Sequence, residues 1–206
     1  MLRYQHAVDN FKRFDVEKKH IYSNALGLKT FLFLCVAILI ALWAGAVLAV
    51  ENYPSARGTA VNDFANVIDQ ANAAKMEILA HEILQKTGAA IVVATLPELG
   101  QTEEITLYAN GLYKAWGIGE KDKDKGVLIF LAVKERKIRI ETGYGVEGIL
   151  PDGLVGEILD KYVVPHLKTG ETGKALYNAM LACGAYIAKD AGVQLSNSPE
   201  AYRAIE

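Results

Sequence analysis

The sequence predicts an α/β domain: a central mixed β-sheet of about four strands, one hairpin among them, flanked by helices on both faces and preceded by one N-terminal transmembrane helix. Three features carry this expectation. Residues 89–95 (AAIVVAT) and 127–133 (VLIFLAV) are unbroken apolar runs rich in β-branched side chains, the pattern of strands buried on both faces. Residues 137–142 (KIRIET) alternate polar and apolar positions, so they pair with the second run as a hairpin with one wet face. Segments of helical spacing lie before, between and after these runs, which is the order of a helix-covered sheet.

Residues 31–50 read FLFLCVAILIALWAGAVLAV. A helix of about twenty uncharged residues, at ~1.5 Å each, just crosses a hydrocarbon core of ~30 Å. Residues 30–50 are therefore expected to form a transmembrane signal-anchor. Arg3, Lys12, Arg13, Lys18, Lys19 and Lys29 precede it, and only Arg57 follows closely. The positive-inside rule then places residues 1–29 in the cytoplasm and the domain on the extracytoplasmic, periplasmic side. The alternative is a cleaved signal peptide and a secreted product, because Val47-Leu48-Ala49 resembles a cleavage site; the long apolar run and the long segment before it favour the anchor.

The 206 residues suit one anchor and one domain, and a net charge of −2 with no basic face argues against nucleic acid as a partner. Cys35 lies in the apolar run and Cys183 is alone in the domain, which excludes an intradomain disulfide and a thiolate metal cluster. Cys183 falls on the apolar stripe of a helix and is expected to be buried.

Residues 51–59 (ENYPSARGT) read as a linker, residues 60–192 as the folded domain and residues 193–206 as a loosely held C-terminal extension. Ile68, Met76, Leu79 and Ile83 mark a first helix over 69–87, with Asp69 as N-cap and Thr87-Gly88 as its stop. Thr102, followed by Glu103 and Glu104 at the positive end of the helix dipole, opens a second that carries Ile105, Tyr108 and Leu112 and ends at Gly117. Leu154, Ile158 and Tyr162 mark a third helix stopping before Pro165; Leu176, Met180, Cys183 and Ile187 mark a fourth. Tyr108, Tyr113 and Trp116 could line a partner groove, but at helical spacing they read first as core.

Three loops hold acidic residues that a core does not need: 61–64 (VNDF), 119–126 (GEKDKDKG) and 143–152 (GYGVEGILPD). Ca²⁺ and Mg²⁺ take oxygen ligands, carboxylates together with backbone carbonyls, and glycines let the backbone approach. The second loop lacks the spacing of an EF-hand, so a site would have to be assembled from separate loops. Structural alternatives stand beside each residue. Asp63 could form a turn or cap, Asp122 and Asp124 alternate with lysines as in a self-neutralising solvated loop, and Asp152 could cap a helix behind Pro151. Glu147, between Gly145 and Gly148, has the weakest structural excuse. GYGVEG is too short and wrongly placed for a dinucleotide fingerprint, and no G-x-S-x-G or HExxH motif occurs.

Taken together, VNDFANVI, TGAAIVVATLPELG and the run from YANGLYKAWG to RKIRIETGYGVEGILPDG resemble the TPM-domain family, also called TPM phosphatase, over nearly all of residues 60–190. The resemblance implies a helix-flanked sheet, members anchored in or exported across membranes, and a divalent cation site where the three loops meet. Carried over by position, the implied ligands are Asp63, Asp122, Asp124, Glu147 and Asp152, holding Ca²⁺ or Mg²⁺. The expected function is a cation-dependent interaction or assembly module at the outer face of a membrane, with another membrane or envelope protein as partner. The alternative is a metal-dependent phosphatase acting on phosphomonoesters, with Glu147 as the acid beside the ion. A purely structural anchor is the third reading.

Overall fold

The computed structural model describes residues 53–100, 104–119 and 124–196, all within the compact unit Tyr53–Glu206. The expected anchor at 30–50, the basic segment before it, Asp122 and the end of the C-terminal extension lie outside the described residues. Among the described residues no helix is long and apolar enough to cross a membrane.

The chain forms β1 (Val61–Asp63), α1 (Gln70–Thr87), β2 (Ala90–Leu96), α2 (Ile105–Ala115), β3 (Gly126–Ala132) and β4 (Lys137–Thr142). It continues with the one-turn helix α3 (Tyr144–Glu147), α4 (Asp152–Ile158), a π turn (Leu159–Val163), α5 (Val164–Lys168) and α6 (Thr172–Asp190). The sheet order is β1-β2-β3-β4, the first three strands parallel and β4 antiparallel to β3. This is the expected mixed sheet.

Every residue of β3 is buried, and alternation sends its side chains to two cores. Val127, Ile129 and Leu131 join Met76, Leu79 and Ile83 of α1 and the α6 residues Leu176, Met180 and Cys183 on one face. Leu128 and Phe130 meet Tyr108, Ala109 and Leu112 of α2 on the other. The connections through α1 and α2 step the same way across the sheet yet cover opposite faces. They must therefore have opposite hands, and one departs from the right-handed rule for parallel crossovers.

Local chemistry sets both ends of α1. Asp69 caps α1, its Oδ1 accepting from the Asn72 amide at 3.0 Å, and Gly88 ends the helix at φ +72°. Burial pushes the Cys183 thiol up to about 12, so this cysteine packs and does not react.

Four expectations are corrected. Residues 61–63, read as part of a loop, form β1: three residues are too few to show alternation, and Asn and Asp are poor strand formers. Residues 144–147, also read as loop, make the single turn α3. The second helix opens at Ile105 with Glu104 as cap, its carboxylate accepting from the Thr106 amide at 3.0 Å, not at Thr102. The third helix does not stop before Pro165. Proline cannot donate to the carbonyl four residues back, and the π turn absorbs this: the Val164 amide bonds Leu159 O, and Asn178 Nδ2 donates to Tyr162 O at 3.3 Å.

Packing also reaches upstream of Ala60, into the segment read as a linker. The Tyr53 ring stands 5.1 Å from that of Tyr108, edge to face, and Tyr108 stacks on Phe130 at 5.4 Å. Gly111 explains itself here: a Cβ at this position would run into the Tyr53 ring, so a helix-weakening glycine sits mid-helix to seat it. Trp116 Nε1 donates to Pro54 O at 2.7 Å, and the Arg57 guanidinium lies 4.7 Å from the Phe64 ring centroid. Tyr53 and Pro54 of this chain thus pack against Tyr108, Gly111 and Trp116. Replacing Trp116 by Phe keeps the ring and removes the donor, and should cost about 1 kcal/mol in urea unfolding; an unchanged midpoint would mean the strap contributes nothing to stability.

Candidate metal centre

Residues 61–63 carry three separate structural duties. Val61 is buried in the core. The buried Asn62 closes the turn before it, Oδ1 accepting from Arg57 N at 2.8 Å and Nδ2 donating to Thr59 O at 3.0 Å. Glu77 of α1 accepts the amides of Ala60 and Val61 at 3.1 and 2.8 Å, pinning the edge strand to the helix. Asp63 latches the turn that follows. Its Oδ1 accepts from Val67 N at 3.2 Å and from Thr95 Oγ1 at 2.5 Å, and its Oδ2 accepts from Ile68 N at 2.9 Å. Thr95 was not singled out in the sequence; only the β1–β2 register, Asp63 opposite Thr95, brings it there.

The other candidates lie at the far end of the sheet. Gly126, which opens β3, pairs with Ala90, five residues of β2 below Thr95. At ~3.3 Å per residue this is a separation of about 17 Å along the strands. Asp124 precedes Gly126, and Glu147 and Asp152 follow the end of β4, which pairs back at Val127. The fold therefore brings Asp124 and Glu147 to one end and Asp63 to the other, and Asp152 follows at the start of α4. The Asp124 end holds the N-termini of the parallel strands, opposite the crevice where open α/β sheets usually take ligands.

Backbone contacts lace the two loops of this end together. Gly143 N donates to Gly126 O at 2.8 Å and Gly145 N to Asp124 O at 3.2 Å. A side chain on Gly143 would collide with the Asp124 carbonyl and the Tyr113 hydroxyl, and one on Gly119, at φ +80°, with the backbone of Gly126. These glycines are the price of bringing three backbone segments into contact. Asp124 itself stands at φ +58°, exposed. Glu147 and Asp152 are exposed as well, and none of the three carboxylates makes a hydrogen bond to a described residue.

A fourth acidic group flanks the same region. Glu141 of β4, its side chain 13% exposed, accepts from Asn110 Nδ2 at 2.9 Å and from Arg139 Nε at 3.2 Å, tying the edge strand to α2. Its charge is already matched. Among the described residues no three His, Cys, Asp or Glu side chains are grouped closely enough to hold a metal ion. Asp122, the remaining expected ligand, lies outside the described residues.

The TPM domain family model matches residues 61–186. The N-terminal domain of a protein from P. gingivalis is 28% identical in sequence, with a TM-score of 0.60 over 66% of this chain and 87% of that one. The BA42 protein of the psychrophilic bacterium Bizionia argentinensis is 17% identical, with a TM-score of 0.52 over 64% of this chain and 92% of its own. The N-terminal domain of a Corynebacterium glutamicum protein is 15% identical, with a TM-score of 0.50 over 73% and 95%. The last two are likenesses of fold alone. No curated protein sequence matches the chain. With well over half of its residues matched by the family model, and that match covering the whole sheet from β1 to β4 and most of α6, the chain belongs to the TPM-domain family.

Proposed function

We infer that this TPM domain is a divalent-cation-dependent interaction module, held at the outer face of a membrane by residues 30–50. The observation that carries the reading is the backbone lacing of Gly143 N to Gly126 O and of Gly145 N to Asp124 O, which sets an acidic loop beside a second acidic loop. Asp122, Asp124, Glu147 and Asp152 would supply carboxylate oxygens, and backbone carbonyls of the two loops would complete a hard-cation shell. Asp63, engaged by three donors at the other end of the sheet, belongs to the latch of β1 in this reading.

Carboxylates drawn around one ion repel one another when it is removed, and an ion that binds only the folded form stabilises that form. Ca²⁺ or Mg²⁺ at about 100 times its Kd is expected to stabilise the domain by about 2.7 kcal/mol. Melting followed by circular dichroism with and without each ion reads this directly. A Tm that neither ion moves at millimolar concentration would sink the reading. The phosphatase alternative rests on family resemblance, with Glu147 as the acid beside the ion.

A further inference from the structure

The helices α1 and α6 pack parallel, with Asn72 beside Gly173 near their starts and Ile83 beside Gly184 further along. Between them on the outer surface runs a groove of about 220 Å³ lined by Lys75, Ile78, Leu79, Glu82 and Tyr177. Ile78 is 65% exposed, so a large apolar side chain stands at the groove with most of its surface in water.

The two ends of the groove carry opposite charges. Lys75 lies at one end, its ammonium 5.9 Å from the Tyr177 ring centroid, and none of the ion pairs among the described residues includes it. Glu82 lies at the other. Its Oε1 accepts from Lys86 Nζ at 2.7 Å, from Ser196 N at 2.6 Å and from Ser196 Oγ at 2.7 Å, while its Oε2 accepts from none of the described residues. Burial works against the Glu82 charge, but the hydrogen bonds from Lys86 and Ser196 outweigh it and hold this carboxyl below its ordinary range. With Leu195 buried and Gln194 O accepting from Lys86 Nζ at 2.6 Å, residues 193–196 are held against this end and not loose.

Lys75 and Glu82 stand about two helical turns apart, roughly 10.5 Å along α1, with Ile78 and Leu79 midway between them. A second α1 laid antiparallel across the first, the two-fold axis passing between Ile78 and Leu79, therefore sets each Lys75 opposite the Glu82 of the other copy and brings the two Ile78 side chains together at the centre. This register is self-complementary, as a two-fold contact requires. A parallel arrangement would set Lys75 against Lys75 and Glu82 against Glu82. We propose that the α1–α6 groove takes a second copy of this chain, Ile78 of each copy entering the groove of the other and each Lys75 pairing with Oε2 of the other copy's Glu82. Lys86, one turn beyond, then faces Ala71 of the second copy and meets no lysine there. An interface centred on one groove belongs to the small, transient class, so the dimer is weak and depends on concentration.

Sedimentation velocity of the full chain in detergent tests this across a concentration series. The dimer fraction should rise with concentration, and Ile78→Asp and Lys75→Glu, both at exposed positions, should each weaken association about tenfold. Glu82→Lys should weaken it likewise. The deciding measurement mixes variants. Lys75→Glu with Glu82→Lys restores both opposite-charge contacts between unlike copies, so the equimolar mixture should dimerise as the parent does while each variant alone does not. A parent chain that stays monomeric up to about 0.1 mM would overturn the proposal. So would a mixture no more dimeric than its components, or association that survives Ile78→Asp, which would place the contact elsewhere on the chain. Ile78→Asp keeps the test decisive should Glu82→Lys fail to fold.

Discussion

Asp63→Ala is expected to be the most damaging single change away from the apolar core. Its carboxylate accepts from two amides and a hydroxyl, and Thr95, one of the donors, is fully buried. Losing a charged acceptor strands these donors, at a cost of about 3 kcal/mol in chemical unfolding. For a domain of this size that is a fall of roughly 6 to 12 °C in Tm. Asp63→Asn keeps one acceptor oxygen and should lose about half as much. The metal-free protein decides between the two roles of this residue. A latch weakens both variants without any ion present, whereas a ligand would leave the metal-free stability unchanged and lower only ion affinity.

Gly143→Val should be nearly as costly, by a different route. The added side chain meets the Asp124 carbonyl and the Tyr113 hydroxyl, and the carbonyl belongs to backbone that is itself bonded to Gly145. Neither can withdraw without parting the two loops, so overpacking of about 3 kcal/mol is expected. Ion-dependent stabilisation should disappear with it. A valine variant that melts like the parent and still responds to Ca²⁺ would mean the loops are not held together by this contact.

Much of the architecture could be read from residues alone, because burial on both faces leaves a simple trace. The run VLIFLAV became β3, buried throughout, and Asp69 and Gly88 bound α1 as their cap chemistry requires. What escaped depended on pairing across distance. The three residues of β1 carry no period, and only their register with β2 reveals that Thr95 meets Asp63. Gly111 looks like a flaw in a helix until Tyr53, remote in sequence, is seated against it. Pro165 reads as a stop because nothing local announces a π turn or the Asn178 amide that supports it.

The candidate site shows the same division. Acidic loops with glycines were visible, and the contact between Gly145 and Asp124 accords with placing two of them together. Sequence spacing said nothing about which end of the sheet each loop would reach. Because β1 runs parallel to β2, Asp63 is carried to the end opposite Asp124, and a residue expected beside the others stands apart from them. The two ends are separated by the length of the strands, so a substitution at one should leave the chemistry of the other intact.

Calorimetric titration of Ca²⁺ and Mg²⁺ into residues 51–206 tests the cation-dependent reading most directly, with Glu147→Gln and Asp63→Asn proteins compared under the same conditions. Saturable binding to the parent protein, lost in Glu147→Gln and retained in Asp63→Asn at a temperature where both remain folded, is the predicted result. Absence of binding in the parent would contradict cation dependence altogether, and loss of binding in Asp63→Asn alone would return the site to the opposite end of the sheet.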